Sequence, residues 1–134
     1  MWVRIPPPAF MALNVDEYLK QAFPLCLTIP RQKKHVSLIL YKSRIISVGM
    51  NCFKTHPEAK RIGYMYDEMH SEFDAFRKLP RSFRGKKLHL LNVRFNKFGD
   101  MRMSRPCCLC EPWCKEIFSS IHYTTNDGVI RLEY

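Results

Sequence analysis

The chain has 134 residues, 46% of them hydrophobic, and carries 22 Lys and Arg against 12 Asp and Glu, a net charge of +10. That length and apolar fraction suit one globular domain with one core, and no apolar run is long enough to cross a bilayer. The positive excess is either a solubility device or the mark of an anionic partner such as a nucleotide phosphate, DNA or RNA; spread from Arg31 to Arg105 without a long run, it reads as a basic face and not a basic tail.

Residues 1–13 read as a loose leader and 14–134 as a single domain. Pro6-Pro7-Pro8 breaks the opening stretch, which therefore does not resemble a secretory signal. Asn14-Val15-Asp16-Glu17 is a capping box, with Asn14 covering the free amide at Glu17 and the acidic side chains suiting the positive helix end. A short helix follows, with Val15, Tyr18, Leu19 and Ala22 on its buried stripe, and Pro24 is expected to end it. Residues 36–41 and 45–50 are apolar, β-prone runs joined by the polar turn Lys42-Ser43-Arg44. Residues 52–67 form an irregular connection.

A second helix is expected from about 68 to 79, because Met69, Phe73, Phe76 and Leu79 recur at helical spacing before Pro80. Residues 87–95 read as a central strand and 96–105 as a loop. A third helix is expected over much of 107–119, with Cys110, Trp113, Cys114, Ile117, Phe118 and Ile121 on its stripe. Pro112 implies that the cysteine motif forms its own turn, with the regular helix starting near that proline. Finally, Asn126-Asp127-Gly128 lies between two β-prone runs and signals a hairpin. The order predicts an α/β fold with a mixed five-stranded sheet and a C-terminal β-hairpin.

Of six cysteines, Cys107, Cys108, Cys110 and Cys114 fall in one short window, too close together for a disulfide framework. A reducing, cytoplasmic setting (host cytoplasm for a viral chain) is expected, with thiols kept for metal or core. Two motifs stand out: His70-Ser71-Glu72, an H-x-E, and Pro106-Cys107-Cys108-Leu109-Cys110, a P-C-x-x-C. Zinc favours imidazole nitrogen and thiolate sulfur in a tetrahedron. Cys107 and Cys110 are one helical turn apart, at a helix start that favours thiolate. His70 and Glu72 open the preceding helix. Two helix starts facing one another would gather His70, Cys107 and Cys110 as ligands and leave a position for water, whose protons Glu72 would move. The bland alternative is a Cys-rich core segment, the preferred reading for Cys114. His56-Pro57-Glu58 is a second H-x-E, but Gly63 and a poor apolar repeat follow it; His56 is read as a loop residue touching substrate.

The paired motifs match the signature of zinc nucleobase deaminases. Over roughly residues 36–132 the chain resembles the cytidine deaminase superfamily, and within it small phage-type deoxycytidylate-deaminase-like proteins, on Lys54-Thr55-His56-Pro57 and Ser104-Arg105-Pro106-Cys107. The resemblance implies a three-layer α/β/α fold, zinc at His70, Cys107 and Cys110, and Glu72 as proton shuttle. It implies a sugar-holding role for Asn51, which otherwise reads as a turn residue. Ser71 stands where many members have Ala. Arg102 and Arg105 are either phosphate contacts beside the site or a solvated basic loop. Tyr64, Tyr66 and Phe98 could stack on a base. Trp113 reads as core, and His89 and His122 as structural.

The expected function is zinc-dependent hydrolytic deamination of a cytosine-type base on a free pyrimidine nucleotide, deoxycytidylate-like. Two alternatives are deamination of a base in single-stranded DNA or RNA, and a non-enzymatic zinc-stabilised nucleic-acid-binding module with Cys108 or Cys114 as a fourth ligand. The partners considered are a nucleoside or nucleotide substrate, single-stranded nucleic acid and a second copy of the chain.

Overall fold

A computed structural model describes residues 15–29, 34–51, 61 and 70–132. In chain order the elements are α1 (Val15–Thr28), β1 (His35–Tyr41), β2 (Arg44–Met50), α2 (Ser71–Lys78), a 3-10 turn (Arg81–Phe83), β3 (Leu88–Arg94), α3 (Cys110–Ile117), β4 (Phe118–Thr125) and β5 (Gly128–Arg131). The five strands form one mixed sheet in the order β2-β1-β3-β4-β5. The β1 strand is antiparallel to β2 and β3, β3 is parallel to β4, and β4 turns back on β5 as a hairpin. The expected α/β architecture with a mixed five-stranded sheet is what the chain adopts. The expected leader lies outside the described residues.

Alternation along the strands divides the core in two. Val36, Leu38, Leu40, Leu91 and Val93 face α1, where Tyr18, Leu19, Ala22 and Cys26 cover them. Ile39, Leu88, Leu90 and Ile121 face the other way, against Phe73 and Ala75 of α2 and Cys110 and Cys114 of α3. Helices thus lie on both faces of the sheet. The near-continuous apolar runs of β1 and β3 follow from this, since a strand covered on both sides has no polar face.

Two boundaries depart from expectation. Helix α1 continues through Pro24 to Thr28. Proline removes one intrahelical hydrogen bond, at a cost of about 3 kcal/mol. Here Pro24 faces solvent while Cys26 and Ile29, beyond it, are buried, so packing of the last turn outweighs the lost bond. At the other boundary, α3 stops at Ile117 and β4 begins at Phe118, so Phe118 and Ile121 reach the core from a strand. Pairing with β3, with Leu88 opposite Phe118, claims the backbone that the helical stripe had assigned to α3.

The β1–β2 turn is tight. Lys42 and Ser43 both sit in the left-handed region, at φ 48° and 65°, as a two-residue hairpin requires. The Tyr18 hydroxyl donates to the Ser43 carbonyl at 2.8 Å, pinning the turn to α1.

One glycine sets the depth of α2. A Cβ at Gly49 would overlap the backbone nitrogen of Ala75 and the carbonyl of Ser71, and would lie 2.7 Å from Ala75 Cα. The helix backbone therefore rests directly on β2. Ser47 Oγ donates to the Ala75 carbonyl at 2.6 Å, and the Met50 amide donates to Asp74 Oδ2 at 3.0 Å, closing the same contact. Because neither partner is a flexible side chain, Gly49→Ala should displace α2 and destabilise the fold by about 3 kcal/mol. A thermal melt followed by circular dichroism should show the midpoint falling by roughly 10 °C; an unchanged midpoint would contradict the close approach.

Candidate metal centre

The turn that carries the cysteines is anchored before it begins. The Ser104 amide donates to the Thr124 carbonyl at 3.0 Å, and Ser104 Oγ donates to the Asn92 carbonyl at 2.9 Å. Residues 102–106 are thereby held against β3 and β4. The amides of Cys110 and Glu111 both donate to the Cys107 carbonyl, at 3.1 and 2.9 Å, and this turn leads into α3. Cys110 is the first residue of that helix. Pro112 sits in the opening turn, where a missing amide proton costs no intrahelical bond.

His70 arrives from the other side as the extended N-cap of α2, its carbonyl accepting from the Asp74 amide at 3.0 Å. His70 Nδ1 lies 3.4 Å from Cys107 Sγ and 3.5 Å from Cys110 Sγ. All three donor atoms fall within 4.8 Å of one another, a group that could hold a metal ion. Cys110 is buried and forms the floor, while His70 and Cys107 are half-buried and form the rim.

The thiols in this window differ sharply. Hydrogen bonding from Cys110 holds the Cys107 thiol far below its usual range, at about 3; burial opposes this, and His70 and the Cys110 and Leu109 amides reinforce it. Cys107 is therefore a thiolate at neutral pH. Cys114, one turn beyond Cys110, is fully buried in the core, and burial pushes its thiol up. Cys108 is exposed. Neither belongs to the metal-binding group. Cys26 is a buried core thiol, also raised by burial, to about 11.

Glu72, in the first turn of α2 two residues beyond His70, is only 5% exposed. Each carboxylate oxygen has a donor: Ser71 Oγ to Oε1 at 3.1 Å, and Asn92 Nδ2 to Oε2 at 3.2 Å. Burial raises this carboxyl above the usual carboxylate range, against its own amide, the nearby His70 and the Asn92 donor, all of which favour the charged form. The result is a buried carboxyl, held by two hydrogen bonds, two residues from a candidate ligand.

The other sequence-derived residues are placed as follows. Ser71 is buried, its hydroxyl turned inward to Glu72 and to Ser37 Oγ at 2.8 Å. Asn51 follows the last residue of β2, and there its Oδ1 accepts from the His35 amide at 2.9 Å and its own amide donates to the His35 carbonyl at 3.3 Å. Arg105 is exposed on the loop before Cys107 and pairs with Glu111 at 2.9 Å. Phe98 is 77% exposed. Trp113 is half-buried against Phe73 and Phe76. His89 and His122 lie in β3 and β4, and burial lowers both to about 4. His56, Tyr64 and Tyr66 lie outside the described residues.

Sequence reasoning missed Ser37, Asn92 and Ser104, the buried polar groups around Glu72. Their signal was a lone polar residue on an inward position of an otherwise apolar strand: Ser37 in β1 and Asn92 in β3.

No family model, curated protein or solved structure matches the chain. Among the described residues, no helix is long and apolar enough to cross a membrane.

The depressed Cys107 thiol has a measurable consequence. An ordinary thiol loses about tenfold in alkylation rate per unit of falling pH. In metal-free native protein, the iodoacetamide reaction of Cys107 should stay within about threefold between pH 5 and 8, because the thiolate is lost only as pH falls toward the depressed value. Peptide mapping by mass spectrometry should also find Cys114 unlabelled, and Cys107 protected once metal is added. A tenfold-per-unit decline at Cys107 would contradict the assignment.

Proposed function

We propose that this chain is a zinc-dependent hydrolytic deaminase of the cytidine deaminase type, converting a cytosine-type base to uracil with release of ammonia. The observation that carries the reading is Glu72: a buried carboxyl, two residues from His70 and under the electrostatic influence of His70 and Cys107, beside a His-Cys-Cys donor group that stops, among the described residues, at three ligands. A closed structural site has no use for such a carboxyl. A metal held by three ligands, with a proton carrier beside its open position, does.

The donor set suits zinc. Zn–N bonds of about 2.0–2.1 Å and Zn–S bonds of about 2.3 Å in a tetrahedron place nitrogen and sulfur about 3.5 Å apart. His70 Nδ1 stands 3.4 and 3.5 Å from the two sulfurs. Helices on both faces of the sheet and a C-terminal antiparallel hairpin support the same superfamily.

The chemistry the metal supplies when bound is activation of water near neutral pH. The rest falls to the chain's own residues. His70, Cys107 and Cys110 fix the position where the amine-bearing ring carbon must come. Glu72 would carry the water's two protons in turn, one to the ring nitrogen and one to the amine that departs as ammonia. Its burial, which raises the carboxyl above the usual range, suits a group that must accept and donate protons in turn. Ser71 and Asn92 hold its two oxygens and keep it from swinging away.

The leading substrate is a free pyrimidine nucleotide, deoxycytidylate-like, with half-buried Arg102 and exposed Arg105 on the loop that leads into the cysteine turn as its cationic side. A second reading, the same chemistry on a base in single-stranded DNA or RNA, is favoured by one observation. Phe98, Met103 and Leu109 are exposed large apolar groups on the basic segment leading into the metal turn. Of these, the Phe98 ring can stack on a base, and an exposed aromatic beside cations suits a single strand.

Ammonia release by zinc-loaded protein should be measured on cytidine, deoxycytidine, their phosphates and single-stranded oligonucleotides. Turnover on one monomer is expected, falling by about 10³-fold or more in Glu72→Gln with zinc retained. His70→Ala, Cys107→Ser and Cys110→Ser should lose zinc itself. Turnover on polymers alone would move the substrate to nucleic acid. No turnover on any of them would sink the enzyme reading.

A further inference from the structure

We propose that Asn92 is a positioning residue for the candidate centre, locking the Glu72 carboxylate to the loop that delivers Cys107. Its kinetic consequence rests on the deaminase reading above; its structural content does not.

Asn92 is fully buried in the middle of the sheet, on the site-facing side of β3. A carboxamide has two N–H donors and one carbonyl acceptor. Here Nδ2 donates to Glu72 Oε2 at 3.2 Å and to the Ser104 carbonyl at 3.1 Å. Oδ1 accepts from Ser37 Oγ at 2.6 Å. Both donors and the acceptor are used, and each partner sits on a different element: the first turn of α2, the loop before the metal turn, and β1.

The Ser104 contact extends the lock. Ser104 Oγ lies 2.8 Å from Thr124 Oγ1 and donates to the Asn92 backbone carbonyl at 2.9 Å. Asn92 therefore grips the 104–107 segment through both its side chain and its main chain. On the Glu72 side, Ser37 Oγ meets Ser71 Oγ at 2.8 Å, and Ser71 Oγ meets Glu72 Oε1 at 3.1 Å. Each serine has one hydroxyl proton, which Ser37 gives to Asn92 Oδ1 and Ser71 gives to Glu72 Oε1, so the two hydroxyls meet at 2.8 Å as neighbours and the network is an open one centred on Asn92. Buried hydrogen bonds of this kind fix direction as well as distance, because an Asn92 side chain that turned would leave Glu72, Ser104 and Ser37 unsatisfied in a dry interior.

The residue type is dictated by this role. Aspartate would set oxygens against the Glu72 carboxylate and the Ser104 carbonyl. Leucine would fill the space and abandon all three partners. Only a side chain that donates twice and accepts once, in one plane, meets the three positions.

The test uses the zinc-loaded full chain, labelled with ¹⁵N. The two Asn92 Nδ2 protons should give separate, exchange-protected resonances that move in Glu72→Gln and stay in place in Ser119→Ala. In steady-state kinetics, Asn92→Leu should lower kcat about 10²-fold, the effect expected when a catalytic group is misplaced by about 1 Å, with KM changed less than about threefold and zinc stoichiometry unchanged. Ser37→Ala, which removes the donor to Asn92 Oδ1 and leaves the Glu72 contact, should lower kcat by about threefold to tenfold and serves if Asn92→Leu does not fold. Asn92 amide resonances indifferent to Glu72→Gln would overturn the proposal, as would full kcat in Asn92→Leu. If the wild-type chain turns over no substrate, the deaminase reading fails, while the resonance shift still decides whether Asn92 holds Glu72.

Discussion

The contact between α2 and β2 is the constraint on which the centre depends. A helix normally stands about 10 Å from a sheet because side chains fill the gap. At Gly49 there is no side chain, and the α2 backbone lies against β2. Ser47 and Asp74 then fix the helix along and across the strand by hydrogen bonds to backbone. That placement sets His70 at the N-cap and Glu72 in the first turn. A shift of α2 by the width of a methyl group would move both by a comparable amount, and the 3.4 and 3.5 Å separations from the cysteines would not survive it.

The two faces of the sheet are built for different purposes. The face under α1 is dry and apolar, from Tyr18 and Cys26 to Val36 and Leu91. The opposite face is apolar under the body of α2 and α3 but polar toward the end where they start, with Ser37, Ser71, Glu72 and Asn92 all buried. Burying such groups costs energy unless each is hydrogen-bonded. Here they bond one another, so the polar island is tolerated and rigid. Rigidity of this kind is what the proposed role of Glu72 requires, since proton transfer depends on a fixed distance to the reacting atom.

The cysteines show how far position governs chemistry. Cys107 and Cys114 are the same residue type seven positions apart, and their thiols are displaced in opposite directions. Cys107 sits in a turn whose amides and neighbouring thiol donate to it. Cys114 is enclosed by Phe73, Leu90 and other core groups that offer a charge nothing. Spacing within the C-x-x-C motif brings two thiols to one side of a turn, but the surroundings select which sulfurs are ready to bind a metal.

Much of the architecture was legible because periodicity and turn chemistry act locally. The apolar runs of β1 and β3, the Asn126-Asp127-Gly128 hairpin and the stripe of Phe73, Phe76 and Leu79 needed no knowledge of the fold. The H-x-E and P-C-x-x-C motifs likewise named the three residues that meet, since spacing alone places Cys107 beside Cys110 and His70 beside Glu72. Local signals failed where a distant partner overruled them. Pro24 did not end α1, because core packing beyond it was stronger than the lost bond. Phe118 left the helical stripe because β3 paired with its backbone. The lock around Glu72 could not be read at all: Ser37, Asn92 and Ser104 are far apart in the chain, and only pairing of β1 with β3, and of the loop with β4, brings Ser37 and Ser104 to the Asn92 side chain that holds the carboxylate. The sequence by itself determined the donor types and their spacing; tertiary structure decided their separation, their burial and the partners of Glu72, because those depend on contacts between residues that local order does not relate.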